Sequence, residues 1–104
     1  MSPGLSIRDG SVYLPAGLVD TYFKGVASVV VLIRDGTLMV LPVHQATAGG
    51  CLLKLRNAAG DRVAQARDLF QDHDLLGLTA ADLPVRWSSE MCALCADLPA
   101  GAQS

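Results

Sequence analysis

Apolar and polar residues alternate in short runs along the chain, and glycine-bearing turns divide the runs. In Leu5–Pro15, Asp9-Gly10 sits between Leu5-Ser6-Ile7 and Val12-Tyr13-Leu14; in Val31–Pro42, Asp35-Gly36 holds the same place between two apolar segments. Asp-Gly tolerates the positive φ angles of a two-residue hairpin turn, so each stretch predicts a β-hairpin. The second hairpin has the longer strands, richer in β-branched residues, with Val29–Ile33 leading into it. A third is expected where Leu53-Lys54-Leu55-Arg56 alternates apolar and basic. There the loop Asn57–Asp61 carries Gly60, and Arg62–Ala66 returns.

Helical signals fall between the ribbons. Pro15 suits a first helical turn, Leu18 and Tyr22 share a face four apart, and Gly25 can end the helix after Lys24. Leu69, Phe70, Leu75 and Leu76 predict a second helix over 67–76, stopped by Gly77. Thr79 reads as an N-cap for a turn over Ala80–Leu83 before Pro84. Val85 to Leu98 is structured but fits strand and helix alike, and 99–104 reads as a flexible tail. The expected fold is therefore α+β: one β-rich domain over 1–98, of three hairpins with two short helices.

Composition narrows the function. At 104 residues the chain forms one domain, and 51% hydrophobic against 17% charged residues excludes disorder for most of it. So few charges cover a monomer poorly, which points to a homo-oligomer. Trp87 fits an interface anchor, because Trp and Arg concentrate in interfaces, and a core plug alike; further interface positions are expected on the apolar strand at Val29, Val31 and Ile33. The net charge of −2 and pI near 5.4 disfavour a nucleic-acid binder. No apolar stretch is long enough to span a bilayer and no signal peptide is visible. Three cysteines, an odd number, fit a reducing compartment, so the expected location is cytoplasmic.

Residues 5–43 resemble the swapped-hairpin fold of the AbrB/MazE/MraZ group of bacterial DNA-binding proteins. The likeness is carried by Gly10, Val12, Leu14, Pro15, Leu18, Tyr22, Val29–Ile33 and Gly36–Leu41. Leu53 to Phe70 is similar to a weaker second copy, with Gly60, Arg62, Val63 and Leu69 in comparable order. The resemblance implies dimerisation and DNA contact. Ser11 and Val19, however, stand where that group commonly carries basic residues, and phosphate contact needs cations. A basic face could still form from Arg8, Arg34, Lys54, Arg56 and Arg62, weakened by Asp9, Asp35 and Asp61.

Other chemistry is sparse. Cys92 and Cys95 form a CxxC whose thiols would share a face on a helix and diverge on a strand. With Cys51 they are the candidate metal or redox thiols, but no second paired motif accompanies them, and core packing explains all three. His44 has no orienting carboxylate or nucleophile in view, and His73 lies between Asp72 and Asp74 at an expected helix end. No phosphate-binding loop, nucleophile elbow or dinucleotide fingerprint occurs. The sequence thus leads to a non-catalytic binding module without cofactor, an accessory or assembly factor acting through protein contacts. DNA-binding regulation is the alternative.

Overall fold

The computed structural model describes residues 4–43 and 51–98. It is a curled antiparallel sheet with two short helices. In chain order the elements are β1 (Leu5–Arg8), β2 (Ser11–Leu14), α1 (Ala16–Tyr22), β3 (Ser28–Arg34), β4 (Thr37–Val43) and β5 (Cys51–Leu55). They continue with β6 (Arg62–Gln65), α2 (Arg67–Asp72), β7 (Thr79–Leu83), β8 (Arg86–Ser88) and β9 (Ala93–Asp97). The sheet runs β7-β1-β2-β6-β5-β3-β4-β9-β8. Its two end strands are separated in the chain only by Pro84 and Val85, so both ends of the sheet belong to one bent stretch of backbone.

The turns form as Asp-Gly dictates. Asp9 and Gly10 have φ of 50° and 79°, and Asp35 and Gly36 have 52° and 76°, the paired positive values of a two-residue hairpin turn. Period-two alternation then turns one side of each strand inward. Leu5 and Ile7, Val12 and Leu14, Leu38 and Val40 are fully buried and join Phe23 and Phe70 in one core.

Two halves of the chain fold by the same plan. β2, α1 and β3 begin at Ser11, Ala16 and Ser28, whereas β6, α2 and β7 begin at Arg62, Arg67 and Thr79, at a constant offset. β2 pairs with β6, Ser11 opposite Gln65 and Leu14 opposite Arg62, a ladder that maps onto itself when the halves are exchanged. β3 pairs with β5 of the second half, and β7 pairs with β1 of the first. The earlier Asp-Gly echo, by contrast, links two hairpins at non-equivalent places in this plan.

Each helix is anchored on the other half. Ala66, which precedes α2, donates its N–H to the Gly10 carbonyl in the β1–β2 turn at 2.9 Å. The matching residue before α1 is Pro15, which has no N–H. Ala16 donates instead to the Asp61 carboxylate of the β5–β6 loop, at 2.8 Å.

Two sequence expectations need correction, and one open choice is decided. Thr79–Leu83 is a strand, not a capped turn: β1 would otherwise lack a neighbour on that side, and pairing outweighs the helical preference of Ala80 and Ala81. The segment after Val85 is a hairpin, β8–β9, turning at Ser89–Cys92. Helix α2 stops at Asp72 because Asp74 enters the left-handed region at φ 59° and Leu75 donates back to the Phe70 carbonyl. The tail expected at 99–104 lies outside the described residues. No helix among the described residues is long and apolar enough to cross a membrane.

Two glycines test this scheme. A Cβ on Gly10 would come within 2.9 Å of the Arg67 Cα and would also require a positive φ, whereas one on Gly77 meets nothing within 4 Å. Gly10→Ala is expected to cost more than the ~1–2 kcal/mol of a left-handed non-glycine residue. Gly77→Ala should be neutral or stabilising by up to about 1 kcal/mol. Urea unfolding of both variants measures the contrast.

Candidate interaction faces

Strand alternation sorts the basic residues. On β1, β2, β6 and β5 the inward side chains include Ile7, Val12, Ala64 and Leu53, so Arg8, Tyr13, Val63 and Lys54 point outward. Tyr13, Val63 and Lys54 form one cross-strand row. The Arg56 guanidinium lies over the Tyr13 ring, 4.6 Å from its centroid, at cation–π distance. Arg8, Lys54 and Arg56 therefore share one outer face, although Arg8 also has the Asp9 carboxylate at 3.8 Å.

The other two cations are elsewhere. Arg62 is paired with the buried Leu14, on the inward side of its strand, and its Nε is buried without a hydrogen-bond partner among the described residues. Arg34 ends β3 beside the β3–β4 turn. The five basic positions thus do not form one patch; three of them do. Between Ser6, Tyr13, Pro15, Arg56 and Asp61 lies a cavity of only about 70 Å³, too small for an organic ligand.

The thiols do not converge. Cys92 is exposed in the β8–β9 turn at φ 51°, whereas Cys95 is buried on β9. Cys51 lies on β5, opposite Val29 of β3. No cluster of three or more His, Cys, Asp or Glu placed to hold a metal occurs among the described residues. His73 is exposed at the end of α2, and His44 lies outside the described residues.

The interface residues expected on β3 also divide. Val29 and Val31 are buried in the chain's own core, at 0% and 7% exposure, so their side chains offer no surface to a partner. Ile33, opposite the buried Leu38, is half-buried. Trp87 is half-buried and stacks on Tyr22, with ring centroids 5.2 Å apart and planes 7° from parallel, which ties β8 to α1.

The outward side chains between them are the ones sequence reasoning missed. Across β3, β4 and β9 they form three rows: Arg34, Thr37 and Asp97; Leu32, Met39 and Cys95; and Val30 with Leu41, which packs against the cluster that holds Ala93. Two of the rows are wholly apolar. Met39, Ala93 and Cys95 are themselves buried, in a small cluster of their own with Leu41 against it and separate from the main core, so the apolar surface left on this side is Leu32, 39% exposed, with the half-buried Val30 and Leu41. The unbroken apolar runs of β3 and β4 carried the signal, because a strand that alternates has one face in water and one that does not is apolar on both.

An open groove of about 310 Å³ lies over this face, with Met39 and Cys95 among its lining and bordered by Arg34, Asp35, Thr37, Arg86, Ser88 and Met91. At its edge the Asp97 carboxylate accepts hydrogen bonds from Arg86 and Thr37, each at 3.2 Å, and these hold its pKa below the ordinary 3.8. Asp61 is lowered in the same direction, first by the Asn57 amide, then by the Ala16 N–H, with a smaller contribution from Arg56. Compared with family models, curated proteins and solved structures, the chain matches none.

A depressed carboxylate favours folding fully above its unfolded value, and the benefit disappears as pH falls through the lower folded value. Acid destabilisation is therefore expected below the ordinary aspartate value of 3.8. Asp61→Ala should lower stability at neutral pH and flatten the acid limb. Urea midpoints measured from neutral to strongly acidic pH check both effects.

Proposed function

We propose that this protein is a non-catalytic binding module that works through protein–protein contacts on the outer face of β3, β4 and β9, as an accessory or assembly factor of the cytoplasm. One observation carries the reading: this part of the sheet is apolar on both sides, and on its outer side Leu32 stands 39% exposed with Val30 and Leu41 half-buried beside the small Met39, Ala93 and Cys95 cluster. A strand face rich in Val, Leu and Met is what partner surfaces bury. Association through free strand edges has less behind it, since the end strands β7 and β8 are short and continuous with each other.

A photo-crosslinking amino acid at position 32 tests the proposal in cells. Protein adducts are expected from position 32 and not from position 65, on the exposed outer side of β6. Equal yields from both positions, or none from 32, would defeat it.

A second reading has its own observation. Arg8, Lys54 and Arg56 on one face with Tyr13 between them could meet the phosphates of duplex DNA, in line with the swapped-hairpin resemblance. The exchange of β3 and β7 between the two halves supports the same resemblance. On this reading Lys54→Ala and Arg56→Ala weaken duplex binding and reduce its salt slope, while Arg34→Ala leaves both unchanged. Fluorescence anisotropy at several salt concentrations measures this, and absence of binding at low salt removes it.

A further inference from the structure

The outer face of β3, β4 and β9 is unequal across its width. β3, on one side of β4, presents Val30, Leu32 and Arg34; β9, on the other, presents Ala93, Cys95 and Asp97. Large side chains therefore lie to one side of β4 and small ones to the other, and at the turn end a cation on β3 is matched by an anion on β9. The groove of about 310 Å³ lies above Cys95, and the exposed Leu32 stands across β4 from it.

We infer that the partner of this face is a second copy of the chain, packed sheet against sheet about a two-fold axis that runs along β4. Such an axis places β3 of each copy over β9 of the other. Leu32 then enters the partner's groove above Cys95, and the half-buried Leu41 meets its own equivalent beside the axis. Arg34 of each copy faces Asp97 of the other, so the contact occurs twice. The fit is self-complementary in shape and in charge, as an isologous interface requires.

Asp97 can serve both contacts. Its Oδ1 accepts from Arg86 and Thr37 within the chain, and a carboxylate has about four lone-pair sites. Both Asp97 and Arg34 are exposed in the single chain. Among the described residues no acidic group pairs with Arg34. The proposal rests on the protein-binding reading and adds to it the identity and orientation of the partner.

Charge exchange tests it. Light scattering should give the wild type twice the 10.9 kDa of the chain. Arg34→Asp opposes two acids at both contacts and Asp97→Lys opposes two cations, so either variant should weaken self-association by roughly 100-fold or more. An equimolar mixture of the two restores opposite charges at both contacts and should recover a dimer, as should the double variant alone. Recovery also shows that each variant is folded.

A monomeric wild type at high micromolar concentration would overturn the inference. So would single variants that remain dimeric, or a mixture that stays monomeric. The adduct at position 32 separates this proposal from the one beneath it. An adduct with another copy supports both, one with a different protein alone defeats only self-association, and none defeats both.

Discussion

Each half of this protein supplies the first hydrogen bond to the other half's helix. The Gly10 carbonyl receives the N–H that precedes α2, and the Asp61 carboxylate receives the first N–H of α1. Helices of six and seven residues are too short to persist alone in water. They exist because tertiary contacts fix their starts and bury Leu18, Val19 and Phe70. The β2–β6 ladder lies between these two anchors and aligns them. Each half also pairs with a strand of the other, β3 with β5 and β7 with β1, so the two halves share one sheet.

The same exchange decides what faces outward. Because β3 must pair with β5 as well as β4, it lies within the sheet and its inner side chains, Val29 and Val31, fall into the shared core. Val30 and Leu32 consequently take the opposite side. β9 then extends the sheet beyond β4 with small residues, and the apolar outer face with its groove results. The basic residues follow the same geometry: Lys54 and Arg56 reach the face of Tyr13, whereas Arg62, two residues from Ala64 on β6, is turned inward with it.

Local features were legible in the sequence where the deciding interactions are local. Both Asp-Gly turns need only their own positive φ, and α1 between Pro15 and Gly25 needs only a start, a stop and an apolar face. The last third of the chain was not legible for the opposite reason. Nothing within Thr79–Leu83 announces a strand; the demand comes from Leu5, Ile7 and Arg8 at the other end of the chain. The thiol pair was undecided because its geometry depends on whether residues 92–95 are helix or strand, and the turn ending at Cys92 decides it. Which arginines gather could not be read without the register of β2, β6 and β5.

The β1–β7 pairing has a consequence for synthesis. β1 leaves the ribosome roughly 70 residues before β7, so at about 5–20 residues per second it waits for several seconds before its neighbour exists. Throughout that interval Leu5 and Ile7 belong to a ribbon with one unclaimed backbone edge, within reach of other nascent chains on the same message. Vectorial folding is thereby denied to this chain: its first strand is among the last to be locked in place.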